Sequence, residues 1–312
     1  MSLPLNFLSK AFYKALSKAL RVALCALALQ CFAAAPVLAA SGVSLLKVEN
    51  GARSSGMGEA FTAVAGDPLS QYYNPAATSG SSDFSAYFGH TVYWDRINFE
   101  SALLSFVKGD VQFNFSARLA EVSDLQARGS APTDDPLYTF AARDIAIKAG
   151  AAYPVSERLD LGFNVGWIIE KIDYLRSSAL NFDLGALYTQ SDRLTFGASV
   201  SNLGGKLKLN NVETELPTTW RAGAAYTLLS TALLVSGDLV YLDESAHAHI
   251  GAEYTGIDRV EMRAGFQSGY DSKNITFGVG FRQKDVRVDY AFVPYKYSLG
   301  DSHQFAVSYF FR

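Results

Sequence analysis

The chain has 312 residues, of which 49% are hydrophobic, 13% aromatic and 18% charged, and its formal net charge is −3. A mildly acidic chain does not offer the basic surface that nucleic-acid binding requires, so we expect no nucleic-acid partner. After residue 40, no stretch approaches the ~18 consecutive apolar residues of a membrane-spanning helix, and apolar residues do not recur at helical spacing.

Residues 1–40 have the composition of a cleaved signal peptide. Basic residues precede an apolar stretch over 22–36, and small residues follow it, which predicts cleavage after Ala39 or Ala40. The alternative is an N-terminal membrane helix, but the apolar stretch is shorter than the ~20 residues that a span needs, and Pro36 ends it. The basic residues of this leader are Lys10, Lys14, Lys18 and Arg21.

Both cysteines of the chain, Cys25 and Cys31, lie in this predicted leader. Cleavage would leave a mature chain with no disulfide, thiolate nucleophile or cysteine metal site. It would also remove four basic residues and no acidic one, taking the net charge from −3 to −7.

Residues 41–82 do not alternate between polar and apolar side chains. Small residues dominate from Gly51 to Ala77, and the Asn74-Pro75 pair predicts a non-helical turn. Two arrangements agree with this composition. The segment either folds back into the lumen of the domain that follows as a plug, or packs on its rim as a tail.

From residue 83 to the end, apolar and polar residues alternate with a period of two. In 158–170, for example, Phe163, Val165 and Trp167 alternate with Asn164 and Gly166. This period sends successive side chains to opposite faces of a strand, and a sheet that spans lipid must close so that every backbone amide is paired. The sequence therefore predicts an all-β fold, a transmembrane antiparallel up-and-down β-barrel of about 14 strands over 83–312. The predicted strands are 83–92, 97–108, 110–122, 143–154, 158–170, 178–190, 193–203, 217–228, 231–242, 246–255, 258–269, 273–283, 285–296 and 302–312.

The two predicted faces of these strands differ in character. One is rich in aromatic residues, and the other carries small residues and charges, which indicates a crowded interior and an outer face in lipid. A soluble β-sandwich would also alternate, but its solvent face would carry Lys and Glu throughout. The connections alternate between short turns and longer stretches over 123–142, 204–216 and 296–301, as in barrels of the outer membrane of Gram-negative bacteria.

Charges of both signs fall on the predicted inner face. They either form paired networks that close the interior and hold the plug through Arg53 and Asp67, or are solvated in a hydrated lumen. They are Lys148, Glu170, Asp183, Arg221, Asp238, Glu253, Glu261, Arg263, Arg282, Arg287 and Asp289.

The histidines give little sign of chemistry. His247 and His249 share a strand face but lack an evident acidic third ligand, so we expect no metal and no cofactor. We expect His303 to be an interfacial hydrogen-bonding residue. Since no serine is paired with a histidine on one face, a catalytic role such as that of a barrel lipase is not expected.

Several motifs resemble those of the PorV/PorQ-type outer-membrane proteins, which share a broad barrel superfamily with the FadL-type fatty-acid transporters. The resemblance covers the mature chain. Near its start, the plug motif consists of Arg53, Met57, Gly58, Asp67, Asn74 and Pro75. Further on are Ser201-Asn202-Leu203-Gly204, Leu216-Pro217, Arg221 to Tyr226, Asp289-Tyr290-Ala291-Phe292, and Leu299-Gly300 with His303.

The resemblance implies a 14-stranded barrel whose N-terminal segment plugs the lumen. PorV-type members carry or tether exported cargo for the type IX secretion system, and FadL-type members admit hydrophobic small molecules. We therefore expect a non-enzymatic outer-membrane protein of the first kind, with the second as the alternative. Expected partners are outer-membrane lipid, secretion-system proteins or exported cargo, and the barrel-assembly machinery. That machinery usually reads a C-terminal aromatic residue, whereas here Phe311 precedes Arg312.

Overall fold

The computed structural model describes residues 43–93, 97–130, 134–228 and 232–311, so the predicted leader lies outside the described residues. Within these residues, fourteen antiparallel strands close into one barrel, and two short strands, β8 and β9, form a separate hairpin. The predicted fold class is confirmed. The strands are β1 (Phe84–Val92), β2 (Asn98–Lys108), β3 (Val111–Ala127), β4 (Tyr138–Ser156), β5 (Leu159–Ile172), β6 (Leu175–Ser191), β7 (Leu194–Gly204), β8 (Lys206–Leu209), β9 (Val212–Glu215), β10 (Thr219–Leu228), β11 (Leu233–Leu242), β12 (Ser245–Ile257), β13 (Val260–Ser268), β14 (Ile275–Gln283), β15 (Val286–Pro294) and β16 (Asp301–Phe311).

The last strand shows how the sequence selects the two faces of the barrel. Val307 is 48% exposed on the outside, whereas its neighbour Ser308 is fully buried inside. Apolar side chains therefore point outward and polar ones inward, the reverse of a soluble protein and the arrangement of a barrel in lipid. Among the described residues, no helix is long and apolar enough to cross a bilayer.

The two ends of the barrel differ. The end at which β1 begins and β16 finishes is here called the lower rim, and the opposite end the upper rim. The upper rim carries the longer connections, including 205–218, 269–274 and 295–300. Long external loops and short periplasmic turns are usual for outer-membrane barrels. The two-residue turns of the lower rim are 109–110, 157–158, 192–193, 258–259 and 284–285.

The predicted connection over 123–142 was wrong in its bounds, since strands occupy both of its ends. β3 continues to Ala127 and β4 begins at Tyr138. The pairing of these strands shifts between Val122 and Leu125, and Asp124 adopts a positive φ of 58°. A bulge of this kind adds an unpaired residue, which interrupts the alternation in the sequence without ending the sheet.

The predicted connection over 204–216 contains the β8–β9 hairpin. Each strand has only four residues, too few to give a clear alternating pattern. The turn itself carries a signal, since Asn210 and Asn211 have positive φ values of 46° and 67°. Two consecutive left-handed residues form the type I′ turn that favours asparagine.

Residues 43–83 pass through the barrel from the upper rim to the lower rim. Val43 and Leu45 pack beside Phe99, which is close to the upper end of β2. Arg53 bonds to Glu253 in the lower half of β12. The chain then enters β1 at the lower rim. The part over 51–83 is here called the lumen segment, and the part over 43–50 the upper tail.

Candidate functional site

The lumen segment contains three short helical turns, and side chains of the segment cap two of them. An α-helix, α1, spans Ala52–Gly56, and 3-10 helices span Pro68–Tyr72 and Pro75–Thr78. The Asp67 side chain accepts a hydrogen bond from the Leu69 amide at 2.9 Å, and the Asn74 side chain accepts one from Ala76 at 3.1 Å. Each cap is followed by proline, whose missing N–H suits the first helical position. Among the motif residues, Asp67, Asn74 and Pro75 thus shape the backbone locally.

The backbone of the lumen segment lies directly against glycines of the barrel wall. A Cβ atom added to Gly265 would lie 2.5 Å from the Cα of Gly58, and one added to Gly278 would lie 3.0 Å from the Cα of Gly56. Met57, between these two contacts, is fully buried. Only a residue without a side chain allows this approach, so the small inward-facing residues seat the segment. Gly185 contacts the side chains of Asn74 and Pro75. The wall glycines that contact the backbone of the segment are Gly162, Gly197, Gly251, Gly265 and Gly278.

Arg53 and Asp67 join the lumen segment to a buried network of charges. Asp67 accepts hydrogen bonds from Arg53 at 2.7 Å and from Arg287 at 2.9 Å, and Arg53 also reaches Glu253 at 2.5 Å. Burial by itself would raise the pKa of Asp67, but the nearby guanidinium groups of Arg287 and Arg53 outweigh it and hold this pKa well below its usual range.

Arg263 links the wall side of this network. It is fully buried and donates to Glu253 at 2.5 Å, to Asp289 at 2.8 Å and to Glu261. Arg282 donates to Glu261 at 2.9 Å and Arg287 donates to Asp289 at 2.8 Å. Four arginines thus meet four carboxylates, so the charges of this group balance. Buried charges that lose one partner are costly, which makes the network sensitive to single substitutions.

The other predicted inner charges lie elsewhere. Lys148 bonds to Asp183 at 2.6 Å, and Asp238 accepts hydrogen bonds from the amides of Phe61 and Thr62 and from the Thr62 hydroxyl. The remaining two predicted inner charges, Arg221 and Glu170, form no ion pair among the described residues. The Arg221 guanidinium lies 5.1 Å from the centre of the Tyr73 ring, and Glu170 faces Asp144 across β4 and β5.

The Ser201-Asn202-Leu203-Gly204 motif forms a bulge in β7. Asn202 has a positive φ of 60°, and its amide donates to the Asp183 carboxylate at 2.8 Å. Its side chain donates to the carbonyl of Pro217 at 3.1 Å and accepts from Asn181 at 3.2 Å. Asparagine tolerates the left-handed region and supplies both hydrogen-bonding functions, which explains its presence at this position.

A second set of charges at the upper rim was missed by the sequence reasoning. Lys273, in the connection after β13, bonds to Glu49 and lies 3.5 Å from Glu59. Burial would lower the pKa of Lys273, but the two carboxylates outweigh this effect and raise it well above the usual value. Lys47 of the upper tail pairs with Asp243 at 2.5 Å. None of these residues lies within a strand of the structure. Lys273 is the first residue of the predicted strand 273–283, but β14 begins only at Ile275, so the alternation did not assign Lys273 to the inner face.

The upper tail also fills an apolar pocket, here called the upper pocket. Leu45 is 1% exposed, and Arg118 donates a 2.7 Å hydrogen bond to its carbonyl oxygen. The upper tail contributes Val43 and Leu45 to the cluster of buried apolar side chains that fills this pocket. The pocket is lined by Phe99, Ala146, Ile168 and Ala179 of the wall and by Leu207 and Leu216 of the β8–β9 connection.

Three of the four histidines contact aromatic side chains, and the fourth, His90, has its Nδ1 2.6 Å from Glu100. The rings of His247 and Tyr270 stack 4.0 Å apart, and His249 Nε2 lies 3.0 Å from the Tyr270 hydroxyl. Within the described part of the chain, no group of three or more metal-ligating side chains is present. The His303 Nδ1 lies 2.8 Å from the hydroxyl of Tyr290.

Three cavities lie along the lower half of the barrel and its lower rim. The volumes are about 680, 380 and 310 Å³, and Arg53 lines all three. Their other lining residues include Glu253, Arg282 and Asp67. Charged side chains therefore contribute to the lining of each of these spaces, in contrast to the upper pocket.

No protein-family model matches the sequence, and no curated protein matches it. Solved structures do. The toluene transporter TbuX of Ralstonia pickettii superposes with a TM-score of 0.61 at 16% identity, covering 86% of this chain and all of that one. The Pseudomonas putida toluene transporter TodX gives 0.61 at 14%, covering 88% and 99% of the two chains. A Pseudomonas aeruginosa FadL homologue gives 0.60 at 12%, covering 88% and 100%.

This chain has the fold of the FadL-like outer-membrane barrels. At such low identities the likeness is one of architecture. A shared architecture does not by itself assign a function.

Proposed function

We propose that the chain is an outer-membrane barrel that admits hydrophobic small molecules, and that they bind first in the upper pocket. The observation that carries this proposal is that the chain fills the pocket with its own apolar side chains, Val43 and Leu45. The similarity of the fold to that of the toluene transporters TbuX and TodX supports the same proposal. The lumen segment and the buried charge network occupy the lower half of the barrel, which argues against an open aqueous pore.

The upper pocket has the chemistry of a site for an uncharged apolar molecule. Its walls are aliphatic and aromatic, and burial of such surface contributes about 25 cal/mol per Å². A ligand must displace the upper tail to enter. The tail is held by side-chain burial, by the Lys47–Asp243 pair and by Arg118, so its release sets the apparent affinity of the pocket.

Substitution of the tail tests the proposal. In the variant with Val43→Ser and Leu45→Ser, the pocket loses its internal competitor, so a neutral fluorescent probe such as N-phenylnaphthylamine should bind ~10-fold more tightly. The variant Ala179→Phe, which fills the pocket from the wall, should lose probe binding in both backgrounds. Leu137→Ser, which removes a 68% exposed leucine, is the matched control and should change nothing.

Equal probe binding by the wild type, the tail variant and the Ala179→Phe variant would contradict the proposal. Heat-dependent mobility in gels would show that each variant retains a folded barrel.

A second candidate, a PorV/PorQ-type barrel that carries or tethers exported cargo, has its own support. The plug motif residues Arg53, Met57, Gly58 and Asp67 all contact other residues inside the barrel. Such contacts are expected if the segment plugs the lumen as it does in PorV/PorQ-type proteins. Strands β3 to β6 are also longer than their neighbours and offer a wall above the upper rim that a protein could contact.

Purification from outer membranes separates the two candidates. A small-molecule channel should release extractable apolar compounds, whereas a cargo carrier should retain a stoichiometric protein partner. A source organism without type IX components would favour the first. In both candidates we propose a non-enzymatic protein whose β16 strand is recognised by the barrel-assembly machinery.

A further inference from the structure

Three basic residues form a row on the outer face of the barrel, near the upper rim. Arg143 on β4 lies opposite Lys171 on β5, and Lys171 lies opposite Arg176 on β6. All three side chains are exposed. Directly opposite residues on neighbouring strands have Cβ atoms about 5 Å apart, and like charges in such positions destabilise a sheet. Negative charge near the row would therefore offset the repulsion between these side chains.

The protein supplies that charge at only one end of the row. Glu121 on β3 faces Arg143 and accepts hydrogen bonds from it at 2.8 and 3.2 Å. Within the described residues, the side chains of Lys171 and Arg176 make no ion pair or hydrogen bond. Two adjacent cations thus remain without a protein counter-charge.

The position of the row relative to the apolar belt identifies the surroundings of these cations. Lys171 lies ten residues above Leu161 on the same face of β5, which in a tilted strand corresponds to about 25 Å along the membrane normal. This equals the usual height of the apolar band of such barrels. Phe163 and Trp167, which lie between them, are 52% and 45% exposed on that face. The cations therefore lie at headgroup level, with an apolar surface beneath them.

We infer that this row binds the phosphate groups of an anionic glycolipid in the outer leaflet, while its acyl chains lie on the apolar face below. Three cations at strand spacing extend over about 10 Å, enough to contact two phosphates. Guanidinium groups match phosphate oxygens in a bidentate manner, and an ammonium group adds a point charge. This inference rests on the proposed outer-membrane location and is independent of the ligand of the upper pocket.

The test measures the affinity of fluorescent diphosphoryl lipid A for the purified full barrel in neutral detergent. The combined variant Arg143→Gln, Lys171→Gln and Arg176→Gln should bind it ~10-fold more weakly. The matched control, Lys108→Gln with Arg158→Gln and Arg193→Gln, removes the same charge from exposed positions of the lower rim and should stay within about twofold of the wild type.

Further arms identify the ligand chemistry. Dephosphorylated lipid A should bind the wild type as weakly as the full lipid binds the triple variant, and 0.5 M salt should weaken the wild-type affinity because it screens exposed charges. Equal loss in both triple variants, or unchanged binding of the dephosphorylated lipid, would overturn the inference. So would displacement of the lipid by equimolar inorganic phosphate, which would assign the row to free phosphate. Heat-dependent gel mobility checks folding, so weak binding by a folded barrel can be attributed to the lost charges.

Discussion

Replacement of Asp67 by asparagine should loosen the lumen segment without disturbing the barrel. Asparagine keeps an oxygen that can accept from Leu69, but it loses the charge that accepts from Arg53 and Arg287. Hydrogen bonds to charged groups contribute about 1.5–3 kcal/mol each. Because both arginines retain an acidic partner, we take the lower part of that range and expect a total loss of about 3 kcal/mol. At 1.4 kcal/mol per factor of ten, the docked-to-undocked ratio should fall ~100-fold.

The assay is the labelling rate of a single cysteine at position 55, which is fully buried in the wild type. Ser55→Cys is close to isosteric, and Cys25 and Cys31 can be replaced by serine to leave one thiol. A maleimide should react ~100-fold faster in the Asp67→Asn background, since the rate follows the undocked population. Asp192→Asn, at an exposed lower-rim turn, is the matched control. If the Asp67 variant is labelled within twofold of the rate of that control, Asp67 does not hold the lumen segment in its docked position.

Three further outcomes are expected. Since the pKa of Asp67 is lowered in the folded state, its contribution is complete above about pH 4 and declines as pH falls below that value. Because maleimide reacts with the thiolate, which is scarce in acid, the labelling rate at position 55 is divided by the rate of the same thiol in the unfolded chain at each pH. This ratio should rise more in acid for the wild-type Asp67 background than for the Asp67→Asn variant. Gly265→Ala should displace Gly58 and cost about 1–3 kcal/mol of docking by the same assay, while Gly237→Ala, whose added Cβ meets its nearest neighbour at 3.7 Å, should have little effect. Asn202→Gly should lower the barrel's thermal unfolding temperature less than Asn202→Ala. Both variants lose the hydrogen bonds of the asparagine side chain, but glycine adopts the left-handed backbone conformation without strain. Equal unfolding temperatures would show that the backbone conformation at this position does not affect stability.

The number and order of the barrel strands were predictable because each strand repeats a two-residue pattern that the bilayer imposes on one face. Where that pattern is interrupted, prediction was limited. The bulge at Asp124 hid the upper part of β3, and the brevity of β8 and β9 hid the hairpin. Such features depend on local backbone conformation, which side-chain periodicity does not report.

The alternating pattern assigned charged residues to the inner face of the barrel, but it could not show which of them form ion pairs with one another. Arg53 and Glu253 are 200 residues apart in the chain, and their contact depends on strand register and on the path of the lumen segment. Lys273 was predicted as the first residue of the strand 273–283, but it lies in the connection before β14, and its ion pair with Glu49 was not predicted. The row of Arg143, Lys171 and Arg176 likewise becomes visible only when the register of three strands is known.

The upper tail and the lumen segment extend through the barrel from the upper rim to the lower rim, and a barrel filled in this way should not conduct ions. Single-channel recording in planar bilayers measures this property. The wild type should show no steady conductance, and the Asp67→Asn variant should show brief openings as the segment undocks. A large, continuously open wild-type channel would mean that the lumen segment does not close the barrel.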